Sequence, residues 1–246
     1  MRIADKAEAL EIPMSFLGGT GTIHPVVLWD GEDGITLVDA GLPGQLPRIE
    51  AGLKGLGLKL SDVRRLLLTH QDLDHIGSAD AVVKATGAVV YAHAADVPYI
   101  QGEKPLLKMD AGRYESRIQG LSEAQKKMVR EVLASPPRVR VQNVLGGGEE
   151  LPFHGGVVVI PTPGHTPGHV CYYMKKQRLL LAGDAMRVEE GSLIGPSPMA
   201  TPDMRSAVAS LKSLLAFPID SVLCYHGGLV SREVGSRLKE LARINA

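Results

Sequence analysis

Thr69-His70-Gln71-Asp72-Leu73-Asp74-His75-Ile76-Gly77 carries four potential metal ligands, His70, Asp72, Asp74 and His75, within six residues. The valine and leucines of residues 63–68 predict a strand before it, and residues 76–86 predict a helix after it. The ligands therefore fall on a strand-to-helix loop, where rigid elements aim side chains into a shared cleft. His70 and Asp72 are two apart and can point the same way, while Asp74 and His75 can turn toward a neighbouring point. Imidazole and carboxylate suit zinc, manganese or iron, and the lack of thiolates argues against a closed structural zinc site. The plain alternative is an acidic loop with two incidental histidines.

Three other places weaken that alternative. Pro163-Gly164-His165-Thr166-Pro167-Gly168-His169 follows the apolar run 157–160. Leu179-Leu180-Leu181-Ala182-Gly183-Asp184 puts an acid at the end of an apolar strand, and Val222-Leu223-Cys224-Tyr225-His226-Gly227-Gly228 does the same with a histidine. Each metal-capable side chain has glycine nearby, which permits tight turns and close approach.

Working outward, residues 10–17, 23–29 and 35–38 predict strands, broken by the glycine-rich stretch around Gly18 and by 30–34. Leu46, Ile49, Leu53 and Leu56 follow helical spacing, with Gly57 as the stop. Residues 88–92 predict another strand. From 96 to 138 the chain is charged, with Lys104, Lys108, Arg113, Glu115, Arg117, Lys126, Lys127, Arg130 and Glu131. A helix over 122–133 opens on Ser122, with Gln125 at the capping-box position, and stops before Pro136-Pro137. Strands follow at 139–144, 157–160, 170–174, 179–182 and 222–224, with helices at 203–215 and 231–244. The expectation is a mixed α/β (α+β) fold in one domain, residues 1–246, with 96–138 a helical, lid-like insertion. Met109, Tyr114, Ile118 and Leu121 either line the entrance or bury the insertion's own apolar face.

The chain has 246 residues, with 27 basic against 27 acidic side chains and 44% hydrophobic residues. That is a globular composition. The zero net charge argues against broad nucleic-acid binding, which draws on a basic excess. No apolar run reaches the ~18 residues of a membrane span. Cys171 and Cys224 make no disulfide framework, so a cytoplasmic location is the simplest expectation. The 28 glycines and 16 prolines mark many turns between short elements.

In combination and order, THxxxDH, PGHTPGH, LLLAGDA and CYHGG resemble the metallo-β-lactamase fold superfamily of metal-dependent hydrolases, in its lactonase and glyoxalase II-like branch. The resemblance runs from the N-terminal strands to His226. It implies a four-layer αββα sandwich of two mixed β-sheets flanked by helices, with two divalent metal ions at one edge, zinc first and manganese or iron as alternatives. It implies His70, Asp72 and His165 as ligands of one metal, Asp74, His75 and His226 of the other, and Asp184 as the carboxylate shared by both. The family places a histidine where this chain has Asp72, which leaves the native metal open. Asp39 matches the family's strand-end aspartate and takes an orienting role. His169 is expected to support or pack, and His24, His93 and His154 to be structural or exposed.

The implied activity is hydrolysis of a small-molecule substrate by metal-activated hydroxide, with Asp74 both ligand and proton shuttle. A lactone or other carboxylic ester leads. Thioester, β-lactam or phosphodiester hydrolysis and a noncatalytic metal-binding module are the alternatives. Family lactonases carry Tyr at the position of Arg187, so Arg187 becomes a candidate for an anionic substrate group and Tyr225 a candidate replacement hydroxyl. The sequence leaves the oligomeric state open, a homodimer included.

Overall fold

The computed structural model describes the whole chain except residues 17–18, 110–113, 116–117 and 244–246. Leu17, Gly18, Arg113, Arg117 and Ile244, used in the sequence reading, lie outside the described residues.

Two large mixed sheets form the centre. The first has seven strands in the order Arg2–Ala4, Ala7–Ala9, Val26–Asp30, Gly34–Val38, Val63–Leu67, Val89–His93 and Asn143–Leu145. Its last four strands are parallel and the rest antiparallel. The second has six, in the order Glu150–Leu151, Val157–Pro161, Val170–Met174, Leu179–Leu181, Ser221–Cys224 and Gly228–Val230. There only Leu179–Leu181 and Ser221–Cys224 run parallel. Small hairpins join Ile12–Phe16 to Gly19–Ile23 and Arg187–Glu189 to Ser192–Ile194.

Strand alternation builds the layers, because successive side chains point to opposite faces. Val157, Val159, Val170, Tyr172, Met174, Leu179 and Leu181 face the first sheet, where they meet Val26, Leu28, Val38 and Leu67. The intervening Ile160, Cys171, Tyr173 and Leu180 face outward onto helices Met204–Leu214 and Val234–Leu241. On the other side, Val27, Ile35, Leu37 and Leu66 pack under Ile49 and Leu53 of helix Leu46–Gly55 and Val82 of helix Ala79–Thr86. The result is helix, sheet, sheet, helix. Truncating one of these fully buried leucines costs about 2–5 kcal/mol. No helix of the described residues is long and apolar enough to cross a membrane.

Several boundaries differ from the sequence reading. Strands Arg2–Ala4 and Ala7–Ala9 were hidden by the charges between and within them. The helix expected over 76–86 is two pieces, Leu73–Ile76 and Ala79–Thr86. Ser78 lies between them, and its hydroxyl donates to Leu42 O (2.6 Å) while accepting from Gln45 N (2.9 Å). Of the strand expected at 139–144, only Asn143–Leu145 pairs. Upstream, Val139 N and Val141 N donate to Ile100 O and Gln101 Oε1, so those donors serve a helix end rather than a sheet.

Helix Glu123–Ala134 has its capping box, with Ser122 and Gln125 satisfying each other's backbone N–H. Its Val129 packs with Tyr114 and Ile118, and Met109, Leu121 and Leu133 close the cluster. Met109, Tyr114, Ile118 and Leu121 thus bury the insertion's own apolar face.

Candidate metal centre

The motif residues converge where strand ends of both sheets meet. Tyr172 Oη donates to Leu68 O (2.9 Å) and Val170 N to Thr69 O (3.0 Å), tying the second sheet to the ligand loop. His70, Asp72, His165 and Asp184 form one group of ligand-capable atoms, and Asp74, His75 and His226 form another. Asp184 reaches both. Its oxygens lie 3.3 Å from His165 Nε2, 3.5 Å from His75 Nε2 and 3.5 Å from His226 Nε2.

The backbone explains how a loop can hold this. Gly183 has φ +50°, and a Cβ there would stand 2.8 Å from His169 Nε2. A Cβ on Gly168 would stand 2.5 Å from Asp96 N. Both turns therefore pass too close to their neighbours for a side chain. Asp39, at the end of strand Gly34–Val38, is itself left-handed at φ +61°, a conformation few non-glycine residues hold.

Asp39 orients two histidines. Its Oδ1 accepts from Thr69 N (2.9 Å), and its Oδ2 accepts from Thr69 Oγ1 (2.8 Å) and from His75 Nδ1 (2.8 Å). Because the Thr69 hydroxyl donates to Asp39, it accepts from His70 Nδ1 (3.0 Å). Both rings thereby carry the proton on Nδ1 and turn the Nε2 lone pair inward. His169 does a different job. Its Nε2 accepts from Asp184 N (3.0 Å), so its Nδ1 donates to Thr162 Oγ1 (2.8 Å). It fixes the Asp184 turn. Burial first, then His70 and His165, hold its pKa well below the usual imidazole value.

His70 Nε2, His75 Nε2 and Asp184 Oδ1 are buried and have no hydrogen-bond partner. Leaving such groups unsatisfied costs about 1–3 kcal/mol each. Divalent cations held by the two groups would satisfy all three, so these residues fit divalent metal. In the metal-free chain, burial opposes charge on His75 and His226, but Asp184 and Asp74, with Asp39 beside His75, outweigh it. His75 is raised well above its usual value, and His226 is raised to about 10. Burial likewise opposes ionisation of Asp184, and His226 and His75 hold its pKa well below the carboxylate range.

The remaining candidates are engaged elsewhere. Tyr225 packs against His75 at a 32° tilt, ring centroids 3.8 Å apart, and its hydroxyl donates to Asp74 O (2.6 Å). The expectation of a spare Tyr225 hydroxyl is thus corrected, since that proton holds the ligand loop. Arg187 donates to Glu189 Oε1 (2.8 Å) and Gly195 O (2.7 Å), bracing its own hairpin. His24 Nδ1 donates to Tyr225 O (2.9 Å), His154 pairs with Thr36 and Asp30, and His93 bonds Gly146 O. Cys171 and Cys224 are buried, and burial pushes the Cys171 thiol up to about 12.

Sequence reasoning missed two residues. Asp96 is fully buried, and it accepts from Gln71 N, Gln71 Nε2, Thr166 Oγ1 and Gly168 N at 2.7–3.1 Å. It thereby clamps the two ligand loops together. Lys108, from the insertion, donates to Asp72 Oδ2 (2.5 Å) and His165 Nε2 (2.7 Å). Burial would raise the Asp72 pKa, but His70 and Lys108 hold it well below the usual range. Neither residue stands in a motif, so no local signal marked them.

A family model described as Metallo-beta-lactamase superfamily matches residues 19–226. The chain belongs to that superfamily. A solved metallo-beta-lactamase family protein of Thermus thermophilus, TTHA1429, superposes with TM-score 0.72 at 26% identity, over 97% of this chain and 78% of that one. The "Probable metallo-hydrolase YflN" of Bacillus subtilis is 28% identical over 221 residues, 84% of this chain and 80% of that protein. A hydroxyacylglutathione hydrolase of Fuscovulum blasticum is 30% identical over 200 residues, covering 80% of this chain and 59% of the relative. With these relatives, the fold is the superfamily's αββα sandwich and the protein is a metal-dependent hydrolase.

Proposed function

We propose that the chain hydrolyses a small carboxylic ester, a lactone first among them, at a centre for two divalent cations, zinc or alternatively manganese or iron. The observation that carries this is Asp184 standing between two groups of inward-facing donors, three of whose atoms are buried without hydrogen-bond partners. His70, Asp72 and His165 serve one cation, Asp74, His75 and His226 the other, and Asp184 both. Bound there, divalent cations supply Lewis-acid polarisation and lower the pKa of water.

The chain's own residues do the rest. Asp39 and Thr69 hold the imidazoles with Nε2 inward, and His169 holds the Asp184 turn. Asp74 has a side chain 21% exposed. Its carboxylate takes the proton released by the attacking water and delivers it to the leaving alkoxide. Residues 1–246 act as one cytoplasmic domain, with 96–138 as the insertion over the site. Arg187, braced in its hairpin, keeps a role toward an anionic substrate only through release from Glu189.

An acyl thioester is the second reading, favoured by the hydroxyacylglutathione hydrolase among the relatives. The test is elemental analysis for metal, then a panel of lactone, linear ester, thioester, β-lactam and phosphodiester substrates. Ester turnover is the expected result. Best turnover of the thioester replaces the first reading by the second. Best turnover of a phosphodiester or β-lactam overturns both, and no turnover with metal bound makes the chain a binding module.

A further inference from the structure

The two donor groups differ in one respect that the family resemblance does not contain. Among the described residues, no lysine or arginine bonds to Asp74, His75 or His226. Asp72 and His165 both bond to the Lys108 ammonium. Lys108 Nζ, Asp72 Oδ2 and His165 Nε2 form a closed triangle, with His165 Nε2 also 2.9 Å from Asp72 Oδ2, while His165 Nδ1 lies 3.2 Å from Thr201 Oγ1. The two atoms that would ligate a metal, Asp72 Oδ2 and His165 Nε2, thus both lie within hydrogen-bond distance of the ammonium. His70 Nε2, the third donor, lies 3.3 Å from the same Asp72 Oδ2 and has no hydrogen-bond partner.

Lys108 is delivered by anchored backbone. Leu106 is buried against the helix side of the first sheet, and Met109 N donates to Leu106 O (3.0 Å). Leu107 N donates to Gln71 Oε1 (2.9 Å), and Gln71 is itself held by Asp96. The residue between the ligands His70 and Asp72 therefore fixes the segment that presents the lysine. The Lys108 side chain is 21% exposed and Asp72 12%, so solvent screens the pair only partly.

We propose that Lys108 and Asp72 act as a unit, in which the ammonium balances the extra carboxylate and competes with metal for the first position. This rests on the metal-centre reading above. Asp72 adds one negative charge where a histidine would add none, and Lys108 cancels it. A divalent ion cannot take Asp72 Oδ2 and His165 Nε2 while the ammonium holds both, and the two cations repel at such range. The second position loads first, and the first loads when Lys108 withdraws. Lys108 is thus a positioning residue that sets how many metals the resting chain carries.

The test is Zn2+ titration of metal-free full-length protein by calorimetry, with bound metal counted by elemental analysis. Wild type should bind one ion tightly and a second roughly tenfold or more weakly. Lys108→Met should tighten the weak step by roughly tenfold or more and leave the tight step unchanged, and Lys108→Gln should do the same. Lys108→Arg, which keeps the charge, should retain the wild-type difference. Thermal melting of each variant checks that it is folded. Two equal steps in wild type, or a weak step unmoved in both neutral variants, overturns this inference alone. Absence of tight metal in every protein overturns it together with the proposed function.

Discussion

The two donor groups share Asp184 and each draws two members from residues 70–75, yet their surroundings are opposite. Asp74, His75 and His226 form a set whose counter-groups are Asp39, beside His75, and otherwise members of the centre itself, with mutual contacts of 3.2 to 3.9 Å. His70, Asp72 and His165 answer in part to a lysine brought from 36 residues away in sequence. A motif with two similar halves can therefore present one site ready for a cation and another already facing one. The difference comes from the insertion, not from the ligand loop.

The comparison breaks most completely at the residue the groups share. Asp184→Asn should reduce metal at both positions and lower kcat/KM on the best substrate of the panel by on the order of 10³-fold. Retention of two ions and near-normal turnover would overturn the proposed sharing of Asp184 by both positions. Asp96→Ala comes next. It strips acceptors from four donors on both ligand loops, so it should cost about 3 kcal/mol in thermal or denaturant unfolding. A loss under about 0.5 kcal/mol, the ordinary surface range, would mean the clamp is not structural.

Asp39→Ala sharpens the asymmetry, because Asp39 touches His75 directly and His70 only through Thr69. Metal affinity at the second position should fall by roughly 10–100-fold, with a smaller fall at the first. Equal losses in a calorimetric titration would show that Thr69 transmits the orientation fully.

The smallest expected effect is on the pH dependence of the metal-free chain. His75 and His226 have pKa values raised above the ordinary 6.5, His226 to about 10. The stability they contribute is complete below 6.5 and is lost as pH rises toward the folded value. Metal-free protein should therefore lose thermal stability between pH 6.5 and about 10. The His226 share of the effect is modest because its side chain is 33% exposed and solvent screens it. Metal-loaded protein should lack this slope, since ligation requires the neutral rings. Identical slopes with and without metal would separate these histidines from the centre.

Much of this was legible in the chain. Alternation in Val157–Pro161 and Val170–Met174, and helical spacing at Ile49 and Leu53, specify which face of each element is buried. Five of the seven ligand candidates follow strand ends, where glycine and proline mark the turns, and Asp74 and His75 sit on the short helix Leu73–Ile76. Less legible were the charged first strands and the broken helix after Asp72. Local pattern is weak there, and long-range pairing decides the outcome. Tyr225 was legible as a neighbour of His226 but not as the donor to Asp74 O, since adjacent residues point apart.

The sequence by itself determined the sandwich, the family and the ligand-bearing loops, because periodicity and turn chemistry are local properties of the chain. Only the tertiary structure decided what faces those ligands. Asp96 and Lys108 are a common acid and a common base in a charged stretch. They acquire meaning when folding buries one between two loops and sets the other against Asp72 and His165. Charge pairing across such separations depends on position in space, which no spacing along the chain encodes.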